Sequence, residues 1–172
     1  LMQTVVIEAD GRQELLEELH PPKLDTMQDF LDAVRESGLV GLGGAGFPTV
    51  VKLTVKNLEQ VKAVIINGAE CEPYITSDTR TMLDRSQEVL EGARLVQHFL
   101  QVKRVIFAIE DNKPFCVRTY RKLVKDELGM EVFPLKSLYP QGGEKVLIYN
   151  TIGEVVPEGK LPLDVGAIVL NC

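Results

Sequence analysis

The sequence predicts an α/β domain built on a parallel sheet with helices on both faces. Three observations carry this reading. The β-branched runs "VKAVIING" (61–68) and "RVIFAIE" (104–110) are continuously apolar over 63–66 and 105–109, as strands covered on both faces are. Segments with apolar residues at helical spacing alternate with them. Glycine, proline and asparagine punctuate the junctions.

Taken in order, "TVVIEAD" (4–10) predicts a strand that stops at Gly11, and "HPPKL" (20–24) a rigid link. Residues 1–25 are therefore expected to be an N-terminal strand and linker from a preceding region, and 26–172 the α/β domain. Thr26 or Asp25 caps a helix with Met27, Phe30, Leu31 and Val34 inward, and Gly38 stops it. "GLVGLGGAGFPT" (38–49) follows, and Pro48 suits a first helical turn. After the strand at 61–68 comes a polar loop, "AECEPYITSDTR". Helices are expected over 78–84 and 86–101, the second with Val89, Ala93, Val96 and Leu100 inward. "KPFCVRTYRKLVKDELG" (113–129) reads as a helix with Gly129 past its end. "MEVFPLK" (130–136) is a third strand, placed near an edge by Pro134. "GGEKVLIYNTIG" (142–153) turns on its glycines and becomes helical, and "VGAIVLNC" (165–172) is the last strand. In such sheets ligands sit at the carboxyl ends of the strands, here the loops after Ile66, Glu110 and Lys136.

Composition narrows the functional classes. The 172 residues are 45% hydrophobic with a net charge of −6, so a real core is expected and a nucleic-acid partner is not. No apolar run approaches the roughly 20 residues of a membrane span. The opening Leu1-Met2 and the closing apolar "AIVLNC" suggest a piece of a longer protein, inactive alone. With no signal-peptide pattern at its start, the reading places it in a reducing, cytosolic setting. Cys71, Cys116 and Cys172 form no C-x-x-C pair, and His20 and His98 lie far apart, so no metal site is expected.

Three clusters stand out. In the first, five of the twelve residues 38–49 are glycine. Gly41-Leu42-Gly43-Gly44-Ala45-Gly46 satisfies G-x-G-x-x-G, but a helix precedes it where the dinucleotide fingerprint needs a strand. No Gly-Lys-Ser/Thr ends the run, so it is not a Walker A loop either. A flexible turn would need fewer glycines. The run permits positive φ and lets backbone N–H groups converge on an anion or a flat ring, with Phe47 beside it and Lys52 within reach of a phosphate. The second cluster, "INGAECEP" (66–73), offers Asn67 as donor and acceptor and Glu70 and Glu72 as acceptors, or simply a solvated loop. The third, "PQGGEKVLI" (140–148), puts an acid at a helix start, where it is also good capping.

Together "GLGGAGFPTVVKL", "INGAECEPYIT" and "YPQGGEKVLIYN" resemble the C subunit of the Rnf electron-transport complex over about residues 26–172. More distantly they resemble the flavoprotein subunit of respiratory complex I. The resemblance implies a Rossmann-like, three-layer FMN-binding domain that exchanges electrons with NAD(H). Carried over motif by motif, it makes Gly41, Gly43, Gly44, Gly46 and Phe47 the flavin and phosphate cradle, with Lys52 facing the phosphate. It sets Asn67, Glu70 and Glu72 along the isoalloxazine and nicotinamide, Gly143 and Glu144 on the dinucleotide side, and Asn171 near the phosphate. Leu42, Ala69 and Lys145 depart from the complex I pattern of arginine, aspartate and a second glutamate, and Rnf C subunits share the first two departures. The implied reaction is hydride exchange between NADH and flavin, followed by single electrons to iron–sulfur centres, with no catalytic side chain. The [4Fe–4S] centres belong to the full-length protein, outside these residues. The expected partners are NADH and the other subunits of a membrane electron-transport complex, with the protein peripheral on the cytoplasmic side of the membrane. Alternatives are a soluble flavoprotein such as a cobalamin reductase, or a docking domain that has lost its cofactor.

Overall fold

The structure, a computed structural model, describes residues 5–12, 14 and 20–172. Helix α1 (Met27–Glu36) begins at Thr26, whose hydroxyl accepts from the Asp29 N–H while the Asp29 carboxylate accepts from the Thr26 N–H. This reciprocal capping satisfies donors that a helix start otherwise leaves free. A short helix α2 (Thr49–Leu53) follows Pro48. Four strands then alternate with helices: β1 (Ala63–Gly68), α3 (Ser77–Asp84), α4 (Ser86–Leu100), β2 (Val105–Glu110), α5 (Pro114–Leu123), β3 (Met130–Leu135), α6 (Glu144–Ile152) and β4 (Ala167–Asn171).

All three strand pairings are parallel, and the spatial order is β3-β2-β1-β4. Alternate residues of each strand feed two cores, because successive side chains point to opposite faces. Val64, Ile66, Val105 and Phe107 pack with α1, α3, α4 and α5 through Phe30, Met82, Leu90, Leu100 and Tyr120. Ala63, Ile65, Ile106 and Ala108 pack with Leu147 and Ile148 of α6 and with Val156. The result is three layers, one of them a single helix. Pro134 lies on the edge strand β3, where its missing N–H leaves no gap in an interior ladder.

The chain winds outward from β1 to β2 to β3, then returns through α6 to lie on the other side of β1. The winding direction therefore reverses between β1 and β4. At such a switch point the following loops diverge and leave a crevice at the carboxyl ends of the strands.

Two expectations differ from the structure. Residues 5–10 form no strand, and Val5, Val6 and Ile7 are exposed; Thr4 lies outside the described residues. A β-branched run becomes a strand only where an edge pairs with it, and no strand of this sheet does so. Helix α5 ends at Leu123 rather than near Gly129, because turns over 124–126 lead the chain into Gly129 at φ 77 and on into β3.

Candidate functional site

The glycine loop closes at its neck before it reaches the crevice. Val40 and Pro48 form an isolated antiparallel bridge, the Gly41 N–H donates to the Phe47 carbonyl at 2.8 Å, and the Thr49 N–H donates to the Leu39 carbonyl at 3.0 Å. The neck is tied to the sheet by the Leu42 N–H, which donates to Asn171 Oδ1 at 3.1 Å at the end of β4. Gly44 and Gly46 take φ of 93° and 59°, conformations that side chains disfavour. Gly43 has no such constraint; it lines the cleft described next, and a Cβ there would meet nothing within 4 Å.

That cleft has a volume of about 370 Å³ and lies at the β1/β4 switch point. Gly41, Gly43, Phe47, Lys52, Asn67, Glu144 and Asn171 all line it. Seven expected site residues from four separate stretches of sequence thus meet in one place. Lys52 projects from α2 and donates to Glu144 Oε1 at 3.1 Å and to the Val169 carbonyl at 3.0 Å. Its ammonium sits 5.9 Å from the centre of the Phe47 ring. Asn67, near the end of β1, accepts from the Ala69 N–H at 3.0 Å and donates to the Gly142 carbonyl at 3.1 Å. Among the described residues, the N–H groups of 43–47 donate no hydrogen bond within the protein. Apolar wall is supplied by Val51 of the first motif and by Leu161, Leu163 and Ala167, which lie outside the three clusters.

Gly44, Gly46 and Gly143 do not line this cleft; the first two shape the loop, and Gly143 is the N-cap of α6. The neighbouring Gly142 has a steric reason to be glycine, since a Cβ there would come within 2.9 Å of the Ala69 carbonyl and of Cys71 Sγ.

Glu70 and Glu72 line a second cleft, of about 520 Å³, along the ends of β1, β2 and β3. Glu70 is turned into the protein. Its carboxylate accepts from the Asp78 N–H at 2.8 Å and the Thr79 hydroxyl at 2.7 Å, with its side chain 3% exposed. Lys113 Nζ lies 3.2 Å from Glu70 and 2.9 Å from Glu110, and Glu110 also accepts from the Glu70 N–H at 3.3 Å. Burial pushes the Glu70 carboxyl up, but Thr79, the Asp78 N–H and Lys113 together hold it below the ordinary value. Burial, with the Glu70 charge beside it, raises Asp78. Sequence patterning does not mark Lys113 or Glu110, because only the parallel alignment of β1 with β2 brings them beneath the 69–72 loop.

A closed glycine loop beside a lysine, at the switch point of a doubly wound parallel sheet, defines a binding domain for a phosphate-bearing ligand with a flat ring. The chain belongs to the Nuo51 FMN-binding domain family, whose model matches residues 34–172. It is 42% identical over 172 residues to the C subunit of the proton-translocating ferredoxin:NAD(+) oxidoreductase complex of Clostridium ljungdahlii, covering 98% of this chain and 37% of that relative. It is 38% identical over 175 residues to the C subunit of the Na(+)-translocating ferredoxin:NAD(+) oxidoreductase complex of Acetobacterium woodii, covering 99% of this chain and 39% of that one. The chain thus spans less than two fifths of the length of these relatives. Among solved structures, an NAD+-reducing [NiFe]-hydrogenase in its air-oxidized state superposes with a TM-score of 0.73 at 21% identity, over 84% of this chain and 28% of that one. That likeness concerns the fold.

Proposed function

We propose that this chain binds FMN in the switch-point cleft and forms the NAD(H)-linked flavin module of an ion-translocating ferredoxin:NAD oxidoreductase complex. The observation that carries the reading is the convergence of Gly41, Gly43, Phe47, Lys52, Asn67, Glu144 and Asn171 on one cleft.

The residues present fit the group. The open N–H groups of 43–47 and the Lys52 ammonium suit a phosphate, while Phe47, Val51 and Leu163 suit a ring system. When bound, FMN exchanges electrons in pairs with NAD(H) and singly with iron–sulfur centres. The chain's own residues bind and orient. Lys52 offsets the phosphate charge and is drawn from Glu144 as it does so. Asn67 presents a polar edge already fixed by Ala69 and Gly142, and Asn171 holds the loop neck in register with β4. Glu72 lies at the border of the second cleft, on the side where a dinucleotide would approach. Glu70, in the same loop, ties it to Lys113 beneath.

In this reading residues 26–172 are the FMN and NAD(H) domain, and 1–25 link it to what precedes. The [4Fe–4S] centres lie elsewhere in the full-length protein, and the other subunits of the complex are its partners. No helix among the described residues is long and apolar enough to cross a membrane, and the reading places the protein peripherally on the cytoplasmic side.

Titration with FMN and with riboflavin, followed by quenching of flavin fluorescence, tests the site. Gly43→Val should abolish binding of both while circular dichroism is unchanged, because it adds bulk to the cleft lining at a point where nothing in the protein is displaced. A folded Gly43→Val protein that binds FMN as well as the parent would remove the cleft from consideration.

A further inference from the structure

We infer that the outer face of α5 is a docking surface for an anionic lipid bilayer. The protein is acidic overall, with a net charge of −6, yet this face is basic. Arg118, Arg121, Lys122 and Lys125 are all exposed, and no acidic residue lies between Pro114 and Lys125. Among the described residues none of these four cations pairs with a carboxylate, although most other arginines of the chain do. Asp126 is the acid that follows them, and the adjacent Glu127 is taken by Arg94. Favourable interaction with the carboxyl end of the helix explains Arg121 and Lys122, which lie in the last turn. It does not explain Arg118, a turn earlier, or Lys125, beyond the C-cap.

An apolar side chain stands out from the same face: Phe115 is 68% exposed, with the Arg118 guanidinium 4.7 Å from its ring centre. Cations beside a protruding aromatic ring suit the headgroup region, where charge is drawn to phosphates and the ring enters the interface. Position favours a bilayer over a redox partner. Helix α5 packs on β2 and β3, whereas the proposed flavin cleft lies at β1 and β4 toward the other edge of the sheet. A molecule on α5 would leave the cleft free but would not reach it. The inference rests on the peripheral placement proposed above and is independent of flavin binding.

Flotation of the 172-residue chain with vesicles tests it, alongside an FMN titration of the same samples. The parent should float with vesicles containing about a third phosphatidylglycerol at low salt, remain behind with pure phosphatidylcholine, and release at about 0.5 M salt, where screening is short-ranged. Each charge removed from the set Arg118→Gln, Arg121→Gln, Lys122→Gln and Lys125→Gln should lower partitioning about fivefold. Phe115→Ser should lower it in a way that salt does not reproduce. FMN affinity should be unchanged throughout. Failure to float, or equal flotation of the fourfold variant, would overturn the inference while leaving the flavin result standing. So would a fourfold variant that floats normally yet no longer binds a neighbouring protein of the complex, since that assigns the face to a protein. Absence of FMN binding with normal flotation would instead overturn the proposed function alone.

Discussion

Two clefts open at the carboxyl end of one sheet, and they treat charge in opposite ways. In the second cleft two buried carboxylates, Glu70 and Glu110, close on Lys113, and hydroxyl and backbone donors complete the shell of Glu70. In the switch-point cleft the loop N–H groups are open, and Lys52 is 23% exposed with a half-exposed acid as its partner. A network satisfied by the protein itself stiffens the fold, whereas donors that face solvent stay available to a ligand. Both clefts hold residues from the same motif, so membership of a motif does not by itself identify a ligand contact. Asn67 and Glu70 are three residues apart and face different clefts.

The sharpest way to break this contrast is Lys113→Met. It leaves two buried carboxylates unpaired and should cost about 3–5 kcal/mol of stability in urea unfolding, with FMN affinity of the folded protein little changed. A loss below about 1 kcal/mol would show that the network is not a brace. Lys52→Ala should do the reverse. FMN affinity should fall about tenfold or more, by the roughly 1.5–3 kcal/mol of a charged hydrogen bond, while riboflavin affinity and unfolding midpoint stay near parental values. An equal loss for both flavins would move the phosphate away from Lys52.

Acid unfolding sharpens the second cleft. Glu70 has a lowered folded-state pKa, so its contribution is present above the ordinary value of 4.5 and is lost as pH falls through the folded value. Asp78 is raised and works in the opposite sense: its contribution is present below the ordinary value of 3.8 and is lost as pH rises through the folded value. Glu70→Gln should therefore be less stable than the parent at about pH 7, with the gap narrowing below about pH 4.5. A gap constant down to about pH 3 would assign Glu70 a purely steric role. The smallest effect is expected from Glu72→Gln. The residue is exposed, so stability should change by less than about 0.5 kcal/mol, and NADH turnover of the full-length protein should change more than FMN affinity.

How much of the molecule is legible in its sequence follows the range of the forces involved. The strands at 63–68 and 105–110, the Thr26 cap and the edge position of Pro134 are local or composition-driven, and sequence periodicity carries them. The return of β4 to the side of β1 is a long-range pairing with no local signature, yet it creates the cleft. Motifs name the residues that approach the cleft, but not which way each side chain turns. Glu70 turns inward because Lys113 and Glu110, some forty residues on, lie beneath it. Gly44 shows the same limit. Its motif makes it a point of ligand approach, whereas the structure gives it a φ of 93° in the turn of the loop and puts Gly43 in the cleft lining. The run at 5–10 has the composition of a strand but pairs with no strand of this sheet.

The closed neck of the glycine loop has a kinetic consequence. The Gly41–Phe47 and Leu42–Asn171 hydrogen bonds fix the two ends of the loop when the chain folds, so its neck needs no closing when a ligand arrives. A neck closed in advance removes one ordering step from the encounter. Association with a flavin phosphate should accordingly be fast, with affinity set mainly by the rate of escape. Asn171→Ala would untie the neck from β4 and slow the arrival of the ligand, turning a tether of one hydrogen bond into the control on the on-rate.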